Sequence, residues 1–116
     1  MDIIQDNPTT QASSVEVLPQ LLKWLKRDAH FLMENEVDTV CELLQQRSDF
    51  GKEKYGTCLH TFNGRDCELD AQQEIIDCLQ YVCQLRMEDK SLSTETMTLL
   101  QTLFMFTTKM VEDSTS

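Results

Sequence analysis

The chain has 116 residues, with 20 acidic against 10 basic side chains and a formal net charge of −10. One domain with a modest core is the natural size class. The acid excess repels phosphate backbones and excludes general nucleic-acid binding; three Gly and two Pro are too few turn formers for an all-β fold.

Residues 1–16 are polar, with Asn7-Pro8 followed by a Thr/Ser-rich run, and read as a disordered N-terminal tail. The single domain expected at 17–111 begins near Leu18-Pro19, where Pro suits a first helical turn. Leu18, Leu21, Leu22, Leu25, Ala29 and Leu32 repeat at helical spacing and predict a first helix over about residues 19–33. Trp24 and Phe31 flank that stripe. A second helix, about 36–54, has Val37, Val40, Cys41 and Leu44 inward and Asp38, Glu42, Gln45 and Asp49 beside them. Gly56 is its stop signal.

Asn63-Gly64 marks a turn. A third helix follows, about 65–87, on which Asp66, Asp70, Glu74, Asp77 and Tyr81 fall within an arc of roughly 80°. Ile75, Ile76, Leu79, Val82 and Cys83 take the other side. Ser91 or Ser93 caps a fourth helix, about 94–111. Its apolar residues exceed one stripe, so Leu100, Leu103, Phe104 and one of Met97 or Met110 are expected to be buried, partly at a homodimer contact. Residues 112–116 should fray. The expectation is an all-α four-helix bundle completed by oligomerisation, as a homodimer or higher homo-oligomer.

The five cysteines, Cys41, Cys58, Cys67, Cys78 and Cys83, form no Cys-x-x-Cys and read as reduced thiols. No run is long enough to span a membrane and no signal-peptide pattern opens the chain. A cytoplasmic location, in a cell or an infected host, is the expectation.

Stacked carboxylates repel one another, so the acidic stripe needs water, a cation or a basic partner. Glu74 and Asp77 are an i, i+3 pair that can hold a divalent cation if a facing helix adds oxygens. Asp38 and Glu42, one turn apart, are the candidates for that, and the other reading is a solvated acidic face. Lys52, Lys54 and Arg65 bracket the intervening loop and suit outer phosphates, or are ordinary surface charges. No Walker loop, dinucleotide fingerprint or nucleophile elbow is present.

The stretch from Arg47 through Lys54-Tyr55-Gly56 and Asn63-Gly64-Arg65-Asp66, with Asp70, Glu74-Ile-Ile-Asp77 and Tyr81 beyond it, resembles small viral members of the MazG-like group. These are all-α nucleoside triphosphate pyrophosphohydrolases, and the likeness covers roughly residues 40–86. It implies a Mg²⁺- or Mn²⁺-dependent cleavage of a nucleoside triphosphate, ribo- or deoxy-, to a monophosphate and pyrophosphate. Glu74 and Asp77 match the family's Glu-x-x-Asp residue for residue. The family's preceding Glu-x-x-Glu is absent, leaving Glu42, with Asp38, to take its place. The resemblance implies a metal held by Glu42, Glu74 and Asp77, assisted by Asp38 or Asp70, with Lys54, Arg65 and Tyr81 on the substrate. Without the first pair, the same fold fits a nucleotide-sequestering protein. It also fits a non-enzymatic helical interaction protein with a basic partner, such as a viral inhibitor of a host nucleic-acid-binding factor.

Overall fold

A computed structural model describes residues 4–30 and 32–115. Among them it has four α-helices and no strand: α1 Val17–Asp28, α2 Glu34–Tyr55, α3 Cys67–Met87 and α4 Thr94–Thr115. The all-helical expectation holds. The chain forms two compact units where composition points to one domain: Met1–Val15 with His60–Leu92, and Glu16–Leu59 with Ser93–Ser116.

The second unit holds α1, α2 and α4, with α2 packed against both of the others. Its core is Leu25, Ala29 and Val40, bordered by Leu32, Val37, Cys41, Leu44, Met105 and Phe106. Among the described residues, only Leu25 and Val40 are large and fully buried. Each such side chain stabilises by about 1.5–3 kcal/mol, a thin core for this length of chain.

α1 stops at Asp28, short of the expected 33, because Ala29 leaves the helical region at φ −85°, ψ 55°. Ala29 N–H still reaches the Leu25 carbonyl, and Leu32 N–H bonds back to Ala29 O at 3.1 Å. A turn therefore carries Ala29 and Leu32 inward, where their spacing suggests a continuing helix. Phe31 lies outside the described residues. Arg27 grips the Asp28 carboxylate with two bonds of 2.7 and 2.8 Å, and Lys109 Nζ of α4 lies 3.6 Å away. The Arg27 hydrogen bond, helped by its charge and that of Lys109, holds the Asp28 carboxyl down to about 2.

α2 opens with the Glu36 carboxylate accepting from Met33 N–H at 2.9 Å, half of a capping box. It ends at Gly56 with φ +77°, whose N–H bonds Lys52 O. There the left-handed backbone is what makes glycine the stop. α4 is capped by Ser93 Oγ, which accepts from Thr96 N–H at 3.2 Å.

The inner face of α4 differs from the expected one. Thr98 and Thr102 are buried, while Met97, Leu103, Phe104 and Met110 are exposed, Phe104 by 72%; Leu100 is half-buried. Threonine can turn inward because its hydroxyl bonds its own helix: Thr98 to Thr94 O at 2.9 Å and Thr102 to Thr98 O at 2.8 Å. Thr98 also donates to Glu36 Oε2 at 3.3 Å. Ser114 and Thr115 bond back to Met110, Val111 and Glu112 carbonyls, so α4 runs to Thr115, through most of the stretch expected to fray.

The first unit is α3 with a non-helical N-terminal segment laid along the loop before it. Ile4–Val15 is not a loose tail there: its polar groups, read from composition as a sign of disorder, are used in hydrogen bonds. Residues 1–3 lie outside the described residues.

Candidate functional site

The loop before α3 is shaped by two left-handed residues, Phe62 at φ 50° and Gly64 at φ 80°. Between them Asn63 is buried, and its Oδ1 accepts from Arg65 N–H at 3.0 Å. Sequence reasoning marks Asn63-Gly64 as a turn; the structure adds that the turn is closed by this side chain. A Cβ on Gly64 would stand 2.9 Å from Thr9 Oγ1.

Hydrogen bonds tether the N-terminal segment along this loop. Thr9 N–H bonds Asn63 O at 2.8 Å, and Thr61 N–H bonds Val15 O at 2.8 Å. Val15 N–H bonds Thr61 Oγ1 at 3.0 Å. His60, only 6% exposed, places Nε2 2.8 Å from Thr9 O and 3.3 Å from Thr10 Oγ1. A carbonyl only accepts, so that nitrogen carries the proton.

Asp66 caps α3, its Oδ1 accepting from Leu69 N–H at 3.1 Å. Arg65 reaches into the first turn and binds Asp70 bidentately, Nε to Oδ2 at 3.0 Å and Nη2 to Oδ1 at 2.7 Å. The Arg65 hydrogen bond is the main cause that lowers the Asp70 carboxyl below its usual value, partial desolvation opposing it and Gln5 assisting. The structure thus gives Asp70 an arginine partner inside its own unit. Arg65, the candidate phosphate group, is engaged by that same carboxylate.

One turn further, about 6 Å along the axis, stand Glu74 and then Asp77 and Tyr81, all exposed. The side chains of Glu74 and Asp77 make no hydrogen bond or ion pair among the described residues. On the other side of α3, Ile75, Ile76, Leu79 and Val82 are 38–67% exposed; no residue of this helix is buried.

The other candidates lie in the second unit. Asp38 and Glu42 are exposed on α2. Lys54 sits over the Tyr55 ring, 5.3 Å from its centroid. Among the described residues no group of three or more His, Cys, Asp or Glu is gathered for a metal ion. The donor set of α3 alone fits part of a hard cation's shell: two carboxylates one turn apart, free of protein partners, where six or more oxygens are required. The five cysteines are free thiols, and among the described residues no helix is long and apolar enough to cross a membrane.

Gln5, Asp6, Thr9 and His60 all shape this site, and sequence reasoning assigned none of them a part in it. Gln5 and Asp6 sit in a stretch without periodicity, so nothing local signals that they touch residues sixty positions on. No family model, curated protein or solved structure matches the chain.

Proposed function

We propose that the chain is a metal-dependent nucleoside triphosphate pyrophosphohydrolase that works as a homo-oligomer. The observation that supports this most is the Glu74–Asp77 pair, with exposed side chains free of protein partners, on the helix whose Asp70 is bound by Arg65 from the preceding loop. It sits within the stretch that resembles the MazG-like group. Mg²⁺ or Mn²⁺ held there would neutralise phosphate charge and acidify a water. Glu74 and Asp77 would provide oxygens for the ion. A carboxylate of this set orients the water that attacks the α-phosphorus. The bond to the bridging oxygen breaks, and pyrophosphate leaves with part of its charge balanced by Arg65. Tyr81, one turn beyond Asp77, offers a ring for the base.

The test is pyrophosphate release from ribo- and deoxynucleoside triphosphates with Mg²⁺ or Mn²⁺. Turnover by the wild type, lost in Glu74→Gln with the fold intact, supports the reading. Binding without turnover points to a nucleotide-sequestering protein.

A second reading has its own observation. α3 exposes Ile75, Ile76, Leu79 and Val82 opposite its carboxylates, which suits a helical interaction protein. Its apolar side takes another helix and its acidic side a basic protein. No binding of any triphosphate, with a melting curve indifferent to Mg²⁺, favours this reading.

A further inference from the structure

Arg65 is engaged on three nitrogens. Asp70 takes Nε and Nη2, and the carbonyl of Asp6 takes Nη1 at 2.7 Å. Beside it, Gln5 bridges two groups at the start of α3: its Oε1 accepts from Asp66 N–H at 2.6 Å, and its Nε2 donates to Asp70 Oδ1 at 2.9 Å. Two neutral oxygens of the N-terminal segment therefore lie on donors that suit an anion, a guanidinium and a helix's first N–H groups. Phosphate oxygens bind such donors about twice as strongly as neutral acceptors do.

We propose that Gln5–Thr9 is an autoinhibitory strap, occupying Arg65 and the start of α3 until a pyrophosphoryl group displaces it. This rests on the reading above, in which Arg65 meets the outer phosphates. The strap has a built-in anchor. Val15 and Thr61 bond to one another twice, so the chain can lift from residue 9 backward while staying fixed at residue 15. Its closure also requires Gly64, because Thr9 Oγ1 fills the space a Cβ would need. A strap that is closed most of the time lowers the apparent affinity for phosphate by the fraction that is open.

The experiment uses the full chain with inorganic pyrophosphate and Mg²⁺. Calorimetry compares the wild type with Gln5→Ala, which removes two strap contacts and leaves Arg65, Asp70, Glu74 and Asp77 in place. The variant should bind pyrophosphate at least about fivefold more tightly, the lower bound for two lost hydrogen bonds of ordinary strength. Amide exchange on the wild type needs no substitution: saturating pyrophosphate should speed exchange at Thr9 and leave Thr61 protected. Equal affinities, an unchanged Thr9, or no pyrophosphate binding by either protein would overturn the strap. Failure of the enzyme reading looks different: pyrophosphate binds and loosens Thr9, yet no triphosphate is cleaved.

Discussion

A methyl group at Gly64 meets two obstacles, a φ of +80° and the Thr9 hydroxyl 2.9 Å away. Gly56 has only the first, at φ +77° with open space around it. Gly64→Ala should therefore destabilise by about 1–2 kcal/mol and Gly56→Ala by about 1 kcal/mol, read by denaturant titration. Thr9→Ala in the same chain should recover the steric share of the Gly64→Ala loss and nothing at Gly56. Asp28 gives a pH prediction. Its folded carboxyl titrates at about 2, below the ordinary 3.8. Its contribution is then fully present above pH 4 or so and is lost as pH falls through the lowered value. Asp28→Asn should remove that part of the acid sensitivity, so its melting temperature should fall less than the wild type's between pH 4 and pH 2. Asp70, also lowered, follows the same sign. At Glu74, losing one carboxylate from a repelling stripe should leave the metal-free melting point unchanged or slightly raised. Mg²⁺ should stabilise the wild type more than Glu74→Gln; equal shifts would take the ion away from this pair.

The helices themselves were legible because their apolar periodicity and end signals agree. Gly56 stops α2, Ser93 caps α4, and Asp66 satisfies the start of α3, each a local effect. Faces were less legible. On α4 the apolar count favours Leu103 and Phe104 as inner residues, yet Thr98 and Thr102 are buried in their place. Periodicity ranks residues by side-chain type and misses that a hydroxyl bonded to its own helix behaves as a small buried group. The exposed side of α4 leads to an assembly prediction. If a second copy covers it, Phe104→Glu should reduce the mass seen by light scattering to that of one chain, with helix content kept. A wild type that is already a monomer at high concentration would remove the homo-oligomer from the proposal. Of the candidate site, the Glu74–Asp77 spacing was readable because both residues sit on one helix. The Gln5 and Asp6 contacts to Arg65, Asp66 and Asp70 were not, since they depend on where a distant segment packs; the Arg65–Asp70 pair is local, five residues apart, but bridges the loop and the first turn rather than one helical face.

At the scale of the whole molecule, 20 acids against 10 bases leave self-repulsion that monovalent salt screens. Raising NaCl at neutral pH should lift the melting temperature smoothly. Mg²⁺ at matched ionic strength should add a further, saturable rise if the chain binds the ion, so the comparison separates site binding from screening.

Both units are assembled from pieces that alternate along the chain, and this sets an order of events during synthesis. The segment at residues 4–15 is made before the loop it binds and has nothing to fold on until Asn63 and Arg65 emerge. Its bonds close loops of 46 to 65 residues, the separations of Val15 from Thr61 and of Gln5 from Asp70. The second unit has α1 and α2 early and waits for α4, the last of the four helices to be made. Such non-local closure is slow compared with helix formation. A nascent chain therefore carries formed helices with open apolar sides for most of its elongation, when chaperones or a neighbouring nascent copy can reach them. A chain halted after Leu92 would hold every residue of the first unit and lack α4 from the second, so arrested chains should show full exchange protection at Thr9 and less than the full chain's at Val40, whose neighbours Met105 and Phe106 are missing.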